Sequence, residues 1–185
     1  MIIRKLESEK LNLKDAFILK PQEFCDFRGT LYKIYTEEVL KVNGVKPYFV
    51  EEYLTISKKG VFRGFHYQAG EASQAKLIRC IRGEVYDVII DMRKSSPTFG
   101  KWTGVVLSER NMVALYAPRG FAHGLVALTD DSAVLYKADN GYAPQTERGV
   151  IWSDPDLNIT WPFEKMLISE KDQKWPRFKD AEVFP

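Results

Sequence analysis

The chain has few of the residues that usually build metal sites or covalent cross-links. It contains two histidines, His66 and His123, and two cysteines, Cys25 and Cys80, among 185 residues. Two cysteines are too few for a disulfide framework, so we expect both to be small buried side chains of a reduced protein. Two histidines with no acidic residue in register do not complete a metal ligand set. We therefore expect no metal site.

The chain also lacks an excess of charge and a long apolar run. Its 27 basic and 25 acidic residues leave a formal net charge of +2, which does not predict a nucleic-acid partner. No apolar run approaches the ~20 residues that cross a bilayer, and the first ten residues contain no signal-peptide core. These absences predict a cytoplasmic protein without nucleic-acid or membrane partners. The length, without a linker or repeat, predicts one domain over residues 1–185.

Short β-strand patterns separated by glycine, asparagine and aspartate turns follow one another through the first 140 residues. Aromatic residues make up 13% of the chain, which also favours β structure. A short helix is predicted over 37–42, and the tail after residue 140, rich in proline and tryptophan, is expected to wrap around the core. This pattern predicts an all-β sandwich or barrel. The predicted strands are 15–20, 30–36, 47–57, 60–67, 76–82, 84–91, 103–107, 112–116, 124–128 and 133–138.

The stretch from Gly60 to Lys76 concentrates polar chemistry within predicted strands. Arg63 precedes His66 by three residues, so strict strand alternation would put their side chains on opposite faces. Gly64 lies between them and permits a bulge or a close backbone approach that re-aims one of the two. The alternative interpretation is a basic edge strand with an incidental histidine.

Both histidines follow glycines in a way that resembles the paired histidine motifs of cupins, which are small jelly-roll barrels. A neutral imidazole is a good general base near pH 7 and is usually oriented by a carboxylate. For His66 the candidate carboxylate is Asp172, and Tyr136 offers a phenol that can donate a proton. The alternative for Tyr136 is a buried tyrosine with a paired hydroxyl. Spacing alone leaves other carboxylates open as partners of His66: Asp87, Asp91, Asp154 and Asp156.

Several segments, in order and spacing, resemble dTDP-4-dehydrorhamnose 3,5-epimerases over nearly the whole chain. The resemblance implies a cupin-type jelly roll that works without metal and forms a homodimer. It also implies an enzyme that acts on a nucleoside-diphosphate 4-keto-6-deoxy sugar. The segments that carry it are 26–29, 60–68, 76–87, 91–100, 118–124, 135–137, 152–155 and 169–172.

The resemblance assigns roles to four residues of the chemistry. It implies that His66 is the catalytic base and Asp172 its carboxylate partner. Tyr136 matches the opposing acid, and Lys76 matches the cation beside the keto oxygen. Such a set would abstract a proton next to the ketone on one face and return one on the other, and this chemistry requires no cofactor.

Substrate binding is implied for further positions. Arg63 and His123 match residues that line the sugar and diphosphate site. Phe24 and Arg28 match positions that reach the nucleotide, partly across a subunit interface.

Three positions depart from the family pattern. Family members commonly carry Phe-Val-Gln-Asp-Asn where this chain has Phe49-Val50-Glu51-Glu52-Tyr53, and a glutamate where it has Lys33. Glu51 and Tyr53 are therefore candidate binding residues of changed chemistry. They leave open the nucleotide base, the sugar, and whether C3, C5 or both are inverted.

The sequence thus predicts a metal-independent epimerase of deoxysugar and surface-polysaccharide biosynthesis that inverts C3, C5 or both. One alternative is a C3-only mono-epimerase acting on a CDP- or GDP-linked sugar. The other is a non-catalytic cupin that binds sugar nucleotides. The intact set of His66, Asp172, Tyr136 and Lys76 disfavours the binder, since a dead site is free to lose one of them.

Overall fold

Strands account for most of the regular structure. The computed structural model describes residues 2–46 and 48–185, with side chains from residue 5 onward. One short helix, α1 (Glu37–Lys41), is present in this part of the chain. The strands are β1 (Ile2–Arg4), β2 (Glu7–Lys10), β3 (Phe17–Lys20), β4 (Gln22–Asp26), β5 (Gly29–Lys33), β6 (Glu51–Ser57), β7 (Val61–Gln68), β8 (Lys76–Arg82), β9 (Glu84–Asp91), β10 (Trp102–Ser108), β11 (Ala114–Ala117), β12 (Phe121–Ala127), β13 (Ser132–Ala138), β14 (Glu147–Gly149) and β15 (Leu167–Ile168).

Two six-stranded sheets form the body of the molecule. The first, the β7 sheet, has the order β10-β9-β12-β7-β14, and β15 adds to β7 in parallel. The second, the β13 sheet, has the order β2-β3-β11-β8-β13-β6 and is antiparallel throughout. Their facing side chains, among them Ile78, Ile89, Leu115, Leu125 and Val134, form one buried core. This pair of sheets is a cupin-type jelly roll, as predicted.

The C-terminal tail covers the outer face of the β7 sheet. Trp152, Trp161, Phe163 and Phe178 pack against a buried cluster that includes Phe62 of β7. Burial of such large aromatic surface strongly stabilises the attachment. The tail therefore wraps the barrel as predicted, and it carries residues 169–175 back to β7.

A third, small sheet lies outside the two-sheet core and has the order β1-β4-β5. Its hairpin exposes Phe27, which is 98% accessible, and Leu31. Cys25 lies on β4 and is exposed, so the prediction that both cysteines are buried is wrong for Cys25 and right for Cys80. The reason is that Cys25 lies on the small sheet and not among the core residues between the two large sheets.

Most predicted strands are present, with ends displaced by a few residues. The predicted 47–57 strand is observed at Glu51–Ser57, and residue 47 lies outside the described residues. The helix begins after Thr36, whose hydroxyl oxygen accepts from the Val39 backbone N–H at 3.3 Å, as a capping residue should. Five strands were not predicted because they are short or lack alternating apolar residues: β1, β2, β4, β14 and β15.

Candidate active site

A bulge in β7 brings Arg63 and His66 to the same side. Opposite β7, the register advances from His66–His123 to Arg63–Leu125, three residues against two, so β7 carries one extra residue. Gly64 lies at the bulge with φ +141°, and a Cβ there would stand 2.5 Å from the Gly124 Cα. Only glycine tolerates both this conformation and this close approach. The predicted re-aiming is confirmed, because Arg63 and His66 line one cavity.

His66 forms a short hydrogen bond with Asp172. The His66 Nε2 lies 2.6 Å from the Asp172 Oδ1. Asp172 is buried and also accepts from the Gly64 backbone N–H at 3.4 Å and the Trp175 indole N–H at 3.3 Å. Burial opposes ionisation of Asp172, but the hydrogen bond and charge of His66, together with hydrogen bonds from Gly64 and Ser169, outweigh it and lower the Asp172 pKa. An ionised Asp172 holds the proton on Nε2, which leaves the lone pair of neutral His66 on Nδ1.

Tyr136 lines the same cavity from the opposite sheet. It is buried on β13, and burial followed by the charge of Asp87 raises its pKa far above the usual value for a phenol. Tyr136 therefore stays protonated at neutral pH and can donate. Its ring stacks on Tyr53, with centroids 4.7 Å apart and planes 9° apart. The rings of His123 and Tyr136 have an edge-to-face arrangement, with centroids 5.8 Å apart and planes 76° apart.

Lys76 is a half-buried cation of the site. Burial lowers the Lys76 pKa to about 8, although Glu147 and Asp87 act in the opposite direction. A lysine with this pKa is mostly protonated at pH 7. It can therefore stabilise a developing negative charge strongly.

His123 is paired with the buried carboxylate of Asp87. The His123 Nε2 lies 2.9 and 3.0 Å from the two carboxylate oxygens. Burial raises the Asp87 pKa, while His123 and Lys76 favour its ionised form. The two histidines thus face each other across β7 and β12, and each bonds its own aspartate. Arg63 is held nearby, since its Nε donates to the Ser57 hydroxyl at 2.9 Å.

Two adjoining cavities share Tyr53, His66 and Lys76. The first cavity has a volume of about 360 Å³ and is named the Tyr136 cavity. The second has a volume of about 490 Å³ and is named the Tyr142 cavity. Their combined size suits a ligand of two connected parts. The Tyr136 cavity is also lined by Arg63, His123, Tyr136, Lys171 and Asp172, and the Tyr142 cavity by Glu51, Gln68, Gln74, Tyr142 and Glu147.

Sequence reasoning missed a polar cluster from the tail that borders both cavities. The Glu147 carboxylate accepts from the Tyr142 hydroxyl at 2.9 Å and from the Lys171 ammonium at 2.7 Å. These bonds overcome the desolvation of Glu147 and lower its pKa. The position of Lys171 directly before Asp172 was the only available signal, because Glu147 and Tyr142 come from a stretch without strand periodicity.

Of the three residues that depart from the family pattern, two line the cavities and one lies on the small sheet. Glu51 accepts from the Tyr142 backbone N–H at 2.9 Å and lines the Tyr142 cavity. Tyr53 lines both cavities. Lys33 ends β5 in the small sheet and lines neither.

The structure does not bring Phe24 and Arg28 to these cavities. Both lie on the small sheet and border a separate cleft. The Arg28 guanidinium pairs with Asp26 at 2.6 Å. Within one chain, these two residues therefore do not contact a ligand confined to the two cavities.

Two further properties concern the described ranges 2–46 and 48–185. No group of three or more histidine, cysteine, aspartate or glutamate side chains within them is arranged to hold a metal ion. The helix found there is far shorter than a membrane span requires.

Comparison with known proteins gives matches over nearly the whole chain. A sequence profile of the dTDP-4-dehydrorhamnose 3,5-epimerase family matches residues 10–180. The enzyme of that name from Shigella flexneri is 45% identical over 176 residues, covering 95% of this chain and 97% of that protein.

Two crystal structures show the same architecture. The dTDP-4-dehydrorhamnose 3,5-epimerase of Elizabethkingia anophelis NUHP1 superimposes with a TM-score of 0.92 at 42% identity, covering 96% of this chain and 98% of the other. ChmJ, a 3'-monoepimerase from Streptomyces bikiniensis in complex with dTDP-quinovose, gives 0.86 at 32% identity, covering 92% and 87%. The similarity extends over both sheets and the tail.

Proposed function

Because the chain belongs to the dTDP-4-dehydrorhamnose 3,5-epimerase family, we propose that its two cavities bind a nucleoside-diphosphate 4-keto-6-deoxyhexose for epimerisation by His66 and Tyr136. The protein is an isomerase of deoxysugar biosynthesis. The observation that carries the residue assignment is a single cavity with a carboxylate-bound histidine from one sheet and a protonated tyrosine from the other.

The first step is abstraction of a proton from the carbon next to the C4 ketone. The Nδ1 lone pair of His66 takes the proton, and Asp172 stabilises the resulting imidazolium. The electron pair moves onto the C4 oxygen as an enolate. Lys76 stabilises this charge, assisted by Arg63.

The second step returns a proton to the opposite face of the carbon. The hydroxyl of Tyr136 donates it, and the ketone re-forms as the carbon inverts. Solvent then reprotonates the phenolate, and His66 releases its proton. The sequence of steps is redox-neutral, so it needs no oxidant. In the structure each of the two histidines is hydrogen-bonded to a carboxylate.

The sugar occupies the Tyr136 cavity in this proposal, and the diphosphate and nucleoside extend into the Tyr142 cavity. Glu51 and Tyr53 then contact the nucleoside or ring, where they favour inversion at C3 over inversion at both carbons. Phe24 and Arg28 reach the nucleotide of a second copy, so the single 185-residue domain works as a homodimer.

Incorporation of solvent deuterium tests this function. The protein in D₂O would be given 4-keto-6-deoxyglucose linked to dTDP, CDP or GDP, and the products followed by ¹H NMR. An epimerase incorporates deuterium at C3, at C5 or at both, with inversion. Binding of all three sugars without any deuterium entry would show a non-catalytic cupin instead.

A further inference from the structure

Tyr53 is fixed against Tyr136 by strand pairing. The two residues stand directly opposite each other in the β6–β13 register. Their rings are 4.7 Å apart and nearly parallel. Aromatic pairs at facing positions of antiparallel strands contribute to the order of both side chains.

Two aromatic neighbours therefore hold the Tyr136 ring. His123 contacts it edge-on, and its own imidazole is bonded to the fully buried Asp87. Tyr53 contacts it from β6, which is the edge strand of the β13 sheet. The side toward His123 is thus anchored in the core, whereas the side toward the edge strand depends on Tyr53.

The position of Tyr53 also couples the stack to the substrate. Tyr53 lines both cavities and is 37% exposed. Burial, followed by the charge of Glu51, raises its pKa to about 12, so its ring stays neutral in the working range. The residue contributes shape and not charge.

We propose that Tyr53 is a positioning residue that holds the phenol of Tyr136 against the sugar face opposite His66 and so sets how often the enolate is protonated with inversion. The inference rests on the proposed function. After proton abstraction the enolate has two outcomes. His66 returns a proton exchanged with solvent to the original face, which gives deuterium entry with retention. Tyr136 donates to the other face, which gives inversion.

Loss of the Tyr53 ring would reduce only the second outcome. An aromatic stack of this kind corresponds to about a three- to tenfold preference for the stacked orientation of the Tyr136 ring over other orientations. Tyr53→Leu is therefore expected to lower the ratio of inversion to deuterium entry about three- to tenfold. Tyr53→Phe keeps the stack and is expected to keep the wild-type ratio.

The test measures both rates in one ¹H NMR time course in D₂O with dTDP-linked 4-keto-6-deoxyglucose. Leu54→Ala is the matched control, because Leu54 is on the same strand, exposed, and outside both cavities. Its ratio should equal that of the wild type. Tyr53→Met serves as a second ring-removing variant, with thermal unfolding used to select folded proteins.

Three results would overturn the inference: an unchanged ratio in folded Tyr53→Leu and Tyr53→Met, a parallel fall of both rates, or an equal fall of the ratio in Leu54→Ala. Failure of the proposed function looks different, because the wild-type protein would then incorporate no deuterium at all.

Discussion

The imidazole of His66 and the carboxylate of Asp172 lie 2.6 Å apart although 106 residues separate them in the chain. The contact forms because β15 pairs with β7 and places the turn that carries Asp172 beside the bulge at Gly64. Wrapping of the tail is therefore a condition for chemistry as well as for stability.

Asp172→Asn removes the charge that stabilises the imidazolium of His66. We expect kcat to fall at least about 10²-fold, the smaller end of what general-base catalysis contributes. The substitution also removes a carboxylate whose pKa is lowered in the folded state. That stabilisation is present above the ordinary aspartate pKa and is lost as pH falls through the lowered one.

Thermal unfolding from pH 7 down to pH 3 would check the stability component. The difference in Tm between wild type and Asp172→Asn should shrink as the pH falls. A difference that grows toward low pH would contradict the assigned sign.

The pKa of Lys76 sets the expected decline of kcat at alkaline pH. Its pKa of about 8 means that the charge beside the enolate is lost as pH rises above that value, while burial keeps the Tyr136 phenol protonated. We expect kcat to decline above about pH 8. Lys76→Arg, which stays charged, should move the decline to higher pH even if it lowers the maximum. An alkaline limb at the same pH in the arginine variant would refute the assignment.

Gly64→Ala tests the bulge. The new Cβ would stand 2.5 Å from the Gly124 Cα at φ +141°, so we expect a loss of at least about 2 kcal/mol in unfolding free energy. Gly60→Ala is the control, since Gly60 has φ +77° with no atom within 4 Å of the added Cβ. It should cost about 1 kcal/mol, the strain of the left-handed region alone. Equal losses in urea denaturation would argue against the close approach.

The positions of Phe24 and Arg28 predict a dimer. Light scattering at micromolar concentration should give about twice the 21.3 kDa chain mass. Arg28→Ala should raise KM for the nucleotide sugar more than it lowers kcat. A fully active monomer, or an Arg28→Ala protein with unchanged KM, would contradict the proposed contact of Phe24 and Arg28 with the nucleotide of a second copy.

Sequence predicted local geometry best within a single strand. The glycine between Arg63 and His66 predicted that one of their side chains could be re-aimed, and both line one cavity beside the bulge at Gly64. Lys76 reaches the same cavity from β8 of the other sheet, which strand alternation alone does not predict. The partner of His66 needed more, because spacing left five aspartates open and only the tail's path selects Asp172. Asp87, one of the competitors, instead bonds His123.

The rest depended on contacts without a sequence period. The Tyr53–Tyr136 stack arises from cross-strand register, and the Glu147–Lys171 pair from irregular tail segments. The exposure of Cys25 reflects its place on the small separate sheet, which composition does not reveal.

The expectation that activity needs no metal is also testable. Exhaustive EDTA treatment should leave kcat unchanged, because proton transfer by His66 and Tyr136 uses only protein groups. Loss of activity restored by one divalent ion would contradict this expectation.

The role of His66 is tested most directly by His66→Asn, assayed in D₂O with the dTDP-linked 4-keto sugar. Removal of the base should suppress deuterium entry at every α carbon by at least about 10²-fold, because no enolate forms. The Tm and the affinity for the nucleotide sugar should stay near the wild-type values, which separates lost chemistry from lost structure. Deuterium entry at a near-wild-type rate in the folded variant would show that another group abstracts the proton.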